Sequence, residues 1–161
     1  SYRYGDNFSA STELQNMVNE WYKSGTECIF SCGGEMCDSV FEAALANNGK
    51  SIGVDVDQSS VSDTVITSAM KGLSSGVQKI LTSFYAGKWV LVGGLSSNLG
   101  VDDNAVGLPF ATSKFEKFTE NDYVKLVNSM KSGGTLEVKN DFSAFLAGGE
   151  TFENVAVSFV K

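Results

Sequence analysis

The sequence predicts an α/β domain of three layers, helices covering both faces of a mainly parallel sheet. Short β-rich runs alternate with segments of helical period at a spacing of about 25 residues, the rhythm of βαβ units. Each helical segment closes on a glycine, the residue expected just past a helix end. The β-rich runs are apolar without clean alternation, as strands are when both sheet faces are covered.

Leu14, Met17, Val18, Trp21 and Tyr22 share one helical face, closed by "KSG" at Gly25. "ECIFSC" then reads as a buried strand. Val40, Phe41, Ala44 and Leu45 form the next face, closed by "NNG" at Gly49, and "SIGVDV" is the following strand. "TVITSAMKG" contains a third β-like run, and Val77, Ile80, Leu81 and Phe84 repeat the helical spacing up to Gly87. "KWVLVGG" reads as a strand, and "GLSSNLGVDDNAVGL" as a polar, glycine-rich excursion. Thr119 with Asp122 has the spacing of a capping box. Tyr123, Leu126, Val127 and Met130 give a last helical face, ending in "KSGG". The tail, residues 135–161, holds two β-like runs separated by Gly148-Gly149. No linker divides the chain, so residues 1–161 read as one domain.

The totals narrow the function. At 161 residues the chain is long enough for one sizeable core, and 42% hydrophobic with 11% aromatic residues is a globular composition. A net charge of −7 with scattered basic residues argues against a nucleic-acid binder that tracks phosphates. No run approaches a membrane span, no leader opens the chain, and "SYRYGD" reads like the middle of a protein. The sequence has no histidine, which removes Ser-His-Asp and Cys-His catalysis and histidine metal sites. Cys28 and Cys32, four strand residues apart, are separated by roughly 13 Å, too far to share a metal or a disulfide. Cys32 and Cys37 flank a glycine turn and are able to approach each other. The simplest expectation is three small buried residues, and the odd count argues against an oxidised framework.

Ligands of open parallel sheets collect beyond the carboxyl ends of the strands, and four features fall there. Gly33-Gly34 follow "ECIFSC" and lead into a helix opening with Glu35 and Asp38. They either admit a ligand to backbone N–H groups or simply make a tight turn. Neither GxGxxG nor GxxxxGK[ST] is present, so no dinucleotide or P-loop site is expected. Asp55 and Asp57 end "SIGVDV", their side chains on one side unless the strand has already turned. A carboxylate there grips a vicinal diol, holds a metal, acts as nucleophile or base, or caps the next turn. Lys71 donates to a ligand hydroxyl, pairs with Asp55, or is solvated. Phe8, in "GDNFSAS" after a first strand, stacks on a planar ligand or packs in the core.

"YGDNFSAS", "CIFSCGGEMCDSVFEAA", "SIGVDVDQSS", "VITSAMKG" and "AGKW…GG…NAVGL" occur in order at spacings that resemble the second half of the basic membrane protein family, the purine-nucleoside receptor lipoproteins of ABC transporters. The specific part is GVDxDQ followed by TSxxK. The resemblance implies one lobe, the C-terminal one, of a type I periplasmic-binding-protein-like clamshell. It implies Phe8 stacking on the base, Gly33 or Gly34 touching the sugar, Asp55 accepting from the ribose hydroxyls, and Lys71 completing the sugar contacts. Asp57 is expected to order the turn with Gln58. The resemblance further implies a permease partner and a first lobe, which with a signal peptide and lipid-anchored cysteine would complete an extracytoplasmic, membrane-anchored protein. The piece itself would be soluble. The family's "AGGTG"-like turn is here "SCGGEMC", which brings an acidic residue and a thiol near the sugar site. By analogy an inter-lobe crossing falls near Val65–Ala69. The helix bearing Val77, Ile80, Leu81 and Phe84 would then face the first lobe, or self-associate without it.

The expected function is ligand binding, with no catalysis, cofactor or metal. The alternative is a haloacid-dehalogenase-like, magnesium-dependent phosphatase. It would use Asp55 as nucleophile and Asp57 as acid-base, with Thr67 or Ser68, Lys71 or Lys88, and Asp102-Asp103 in support. A purely structural or interaction domain is a third reading.

Overall fold

The computed structural model describes residues 1–133 and Ala156. Along the chain run α1 (Thr12–Lys23), β1 (Cys28–Phe30), α2 (Met36–Ala46), β2 (Lys50–Asp55), β3 (Val65–Lys71), α3 (Leu73–Tyr85), β4 (Val106–Gly107) and α4 (Glu120–Lys131). Short 3-10 turns span Trp89–Leu91 and Val101–Asp103. Among the described residues the sheet has four strands, in the order β1-β2-β3-β4. β1, β2 and β3 are mutually parallel, and β4 pairs antiparallel with the end of β3. The α/β class and the mainly parallel sheet are as the sequence predicts.

The core forms around α2. Its mean character is apolar, and Cys37, Ser39, Val40, Phe41, Ala43 and Ala44 are all buried. One cluster joins Val40, Ala43 and Ala44 to Val18 and Tyr22 of α1 and Ile29 of β1. A second joins Cys37 and Phe41 to Val54 of β2 and Val65 of β3. α1 starts where it does because the Ser11 hydroxyl accepts from the Leu14 amide at 3.1 Å, a side-chain N-cap. Ser11 is also fixed to α2, since its amide donates to Ser39 Oγ at 2.9 Å. The Thr119–Asp122 capping box opens α4 as its spacing predicts.

Several local expectations are corrected. "ECIFSC" is a strand only over Cys28–Phe30. The segment before Phe8 is no strand but carries one isolated bridge residue, Tyr2. "KWVLVGG" is a 3-10 turn at Trp89–Leu91, because the Trp89 carbonyl accepts from Gly93 at 2.7 Å and the chain folds back over the indole. After α2 the left-handed residue is Asn48, at φ +52°, and Gly49 is there because the Tyr22 ring fills the space a Cβ would need. Leu45 lies off the buried face of α2, at 59% exposure. Cys28 and Cys32 are exposed and only Cys37 is buried, all three as free thiols. β2 and β3 are joined by residues 56–64 without a helix.

Val65–Ala69 lie inside β3, paired with β2, and the chain leaves the sheet only at Gly72. It returns at Ala105, whose carbonyl accepts from the Gly72 amide at 2.7 Å. A Cβ on Gly72 would run into the backbone of Asn104 and Ala105, so glycine lets the outgoing and returning strands touch. Between those points α3 contributes no buried residue. The tail expected over 135–161, except Ala156, lies outside the described residues.

Candidate functional site

Parallel pairing puts the carboxyl ends of β1, β2 and β3 on one rim, with Phe30 level with Ile52 and Asp55 opposite Met70. The residues just beyond those ends are therefore neighbours. After β1 comes the Gly33-Gly34 turn. Gly33 is buried, and a Cβ there would overlap the Met36 sulfur. Gly34 sits at φ +55°, a left-handed conformation that favours glycine. Phe8 lies against this pair. The Phe8 carbonyl accepts from the Met36 amide at 2.9 Å, holding residue 8 to the start of α2. The residue as a whole is 74% exposed. That bond also corrects an expectation: the first amides of α2 at Met36, Cys37 and Asp38 already meet the carbonyls of Phe8, Gly33, Gly34 and Glu35. The turn exposes Gly34 and not a bare helix N-terminus. Phe8 also lines a hollow of about 370 Å³ with Tyr4, Gly5, Asp6 and Asn7.

At the end of β2, Asp55 adopts φ +68°, left-handed for a residue with a side chain. Such a conformation costs on the order of 1 kcal/mol, least for Asp and Asn. The strand has turned at this point, so Asp55 and Asp57 do not continue its alternation. Lys71, the last residue of β3, brings Nζ to 2.5 Å from Asp55 Oδ1. Apart from that ammonium, no donor among the described residues reaches the buried Oδ1. The Asp55 side chain as a whole keeps 38% exposure and that of Lys71 62%, so the pair faces open solvent. The hydrogen bond to Asp55, with its charge, holds the Lys71 ammonium above the ordinary lysine range, and the nearby Cys32 thiol pushes in the same direction.

The structure thus brings Asp55 and Lys71 together, puts Cys32 within electrostatic reach of Lys71, and seats Phe8 on Gly33-Gly34. Asp57 is engaged elsewhere. Its Oδ1 accepts from the Ser59 amide at 3.0 Å and its Oδ2 from the Thr112 hydroxyl at 2.7 Å. These bonds hold its carboxyl below the usual carboxylate range. It orders the turn, as expected. Of the supporting residues that a phosphatase would need, Ser68 Oγ accepts from the Gln58 amide, Thr67 bonds Ser113, and Asp103 pairs with Lys79.

Three neighbours carry more weight here than their sequence context suggests. Gln58 Oε1 accepts from the Val54 amide at 2.8 Å, while the Gln58 amide donates to Ser68 Oγ at 3.0 Å. A Cβ on Gly53 would press against both Gln58 Oε1 and Ser68 Oγ, so the glycine of "GVDVDQ" makes room for that contact. Thr112 joins the turn from 55 residues away, a separation that leaves no local signal.

An aromatic ring, a glycine turn, and a carboxylate beside an ammonium thus lie at the carboxyl edge of a parallel sheet, where open α/β sheets take their ligands. This is the layout of an α/β ligand-binding domain. Residues 1–140 match the family model described as "ABC transporter substrate-binding protein PnrA-like", and the chain belongs to that family, Bmp. It is 32% identical over 124 residues to Basic membrane protein D of Borreliella burgdorferi (strain JD1), covering 74% of this chain and 36% of that protein. Among solved structures it resembles a transcriptional activator of the comK gene from Bacillus halodurans, with TM-score 0.59 and 20% identity over 80% of this chain and 44% of that one. It also resembles an ABC transporter solute-binding protein from Aeropyrum pernix K1, with TM-score 0.53 and 20% identity over 88% and 42%. At such identity these two likenesses show the fold alone. The chain spans well under half the length of each relative.

Proposed function

We propose that the chain is the ligand-binding C-terminal lobe of an extracytoplasmic, lipid-anchored ABC-transporter substrate-binding protein, and that its ligand is a purine nucleoside. The observation that carries this reading is the Asp55–Lys71 pair at the open rim. A carboxylate accepts from both hydroxyls of a ribose diol, and an adjacent ammonium donates to their oxygens. Phe8, exposed on the glycine turn, supplies a face for the base. Of the glycine pair, the exposed Gly34 lets the sugar lie close to the backbone, while Gly33 is buried under Met36. The partners are a first lobe of the same polypeptide and the transporter's permease.

The first lobe also gives α3 its role. Val77 is 60% exposed, Leu81 49% and Phe84 51%, an apolar stripe on a helix that belongs to the excursion closed by the Gly72–Ala105 contact. In the full-length protein that stripe packs on the first lobe. A half-site makes only part of the ligand's contacts, so the chain alone binds nucleosides weakly or not at all. Calorimetry with inosine, guanosine and adenosine on the full-length protein tests the reading. Saturable binding that is lost on Asp55→Ala supports it, and no binding of any of the three overturns the ligand assignment.

A further inference from the structure

We propose that Gln58 and the Asp57–Thr112 bond are positioning elements for Asp55, a two-sided brace that holds the left-handed end of β2 so that its carboxylate faces the rim. The proposal rests on the diol reading for its ligand.

Asp55 is the point where β2 stops being a strand; its φ of +68° carries a cost even for an aspartate, and the Val56 amide donates to the Val54 carbonyl across it at 2.8 Å. Restraint comes from both flanks of the turn. On the inner side the Gln58 side chain reaches back to the Val54 amide, the residue just before Asp55, and the Gln58 backbone is tied to Ser68 on β3. Ser68 is fully buried, so this anchor belongs to the sheet itself. On the outer side Asp57 Oδ2 accepts from Thr112. The segment around Thr112 is in turn fixed along β3, since the Lys114 amide donates to the Ile66 carbonyl at 2.7 Å and Ser113 Oγ bonds Thr67 Oγ1 at 2.7 Å. Both arms therefore end on β3, the strand that carries Lys71. The brace fixes Asp55 relative to its own ammonium partner and touches neither the ammonium nor the ligand position.

Two readouts test it. The first needs no ligand: the Lys71 ammonium is titrated by NMR in this chain, in the wild type and in Gln58→Met, which keeps the side chain's length and loses its acceptor. Wild-type Lys71 titrates above the ordinary lysine value of 10.5, and Gln58→Met returns it toward that value as Asp55 swings away. Thr112→Val does the same to a smaller degree, and Thr112→Ser, which keeps the hydroxyl, restores it. Thr112 is exposed, so this pair serves even if Gln58→Met does not fold.

The second readout uses the full-length protein with guanosine and 2′,3′-dideoxyguanosine. Losing a bond of this kind changes affinity about tenfold. We expect Gln58→Met to weaken guanosine by about that factor and to leave the dideoxy ligand unchanged. Equal weakening of both ligands, or an unmoved Lys71 titration in a folded Gln58→Met or Thr112→Val variant, overturns the brace. If the wild type does not prefer guanosine over its dideoxy form, the diol reading fails, and the Lys71 titration alone decides the brace.

Discussion

The helices α2 and α3 are of similar length and both carry apolar residues at helical spacing, yet they end in opposite environments. α2 buries six residues between α1 and the sheet, with Ala43 and Ala44 fully enclosed. α3 buries none, and its apolar stripe stands half exposed. Amphipathic spacing therefore says that a helix has a partner and not where the partner is. For α2 it lies within these residues. For α3 we place it in the first lobe.

The comparison breaks most readily in the core. Phe41 is 3% exposed in the cluster with Val54 and Val65, so Phe41→Ala should destabilise the chain by about 3–5 kcal/mol in urea unfolding. Leu81→Ala in α3 sharpens the contrast. In the full-length protein it should cost about 2 kcal/mol or more, because the stripe is covered there. In this chain alone it should cost about 0.5 kcal/mol or less. Equal costs in the two settings would mean that α3 has no partner in the first lobe. Light scattering adds a related check, since self-association of the chain through α3 should be lost on Leu81→Asp.

A smaller effect is expected at the start of α1. Ser11→Ala removes the N-cap and should cost about 1 kcal/mol. The smallest is at the Asp57 turn. Its folded carboxyl is held below the ordinary 3.8, so its stabilisation is present above that pH and is lost as pH falls through the lower folded value. Asp57→Asn should lower stability slightly near neutrality and leave it unchanged in strong acid, flattening the acid limb of the stability–pH curve, read by thermal unfolding between neutral pH and strong acid.

Much of this was legible in the sequence where local chemistry decides. The 119–122 box and the apolar runs of β2 and β3 act through neighbours within a few residues, so pattern sufficed. Asp55 and Lys71 were legible as rim residues because parallel strands end together. The 3-10 turn at Trp89–Leu91 was not, because "WVLV" has strand-forming side chains and the deciding contact is Gly93 folding back on the indole. The exposure of Cys28 and Cys32 was not, because a short cysteine-flanked run looks the same whether it is buried or at an edge. The left-handed Asp55 and its brace were hidden for a different reason. They depend on Ser68 and Thr112, which only the folded sheet brings to the turn.

The central claim is that the carboxylate at position 55 binds the ligand's sugar. Isothermal titration of the full-length protein with guanosine, wild type against Asp55→Ala, addresses it most directly. Each charge-assisted bond removed should weaken binding by about 1.5–3 kcal/mol, with Phe8→Ala costing about 1–3 kcal/mol in parallel. A dissociation constant for Asp55→Ala equal to that of the wild type would contradict the account.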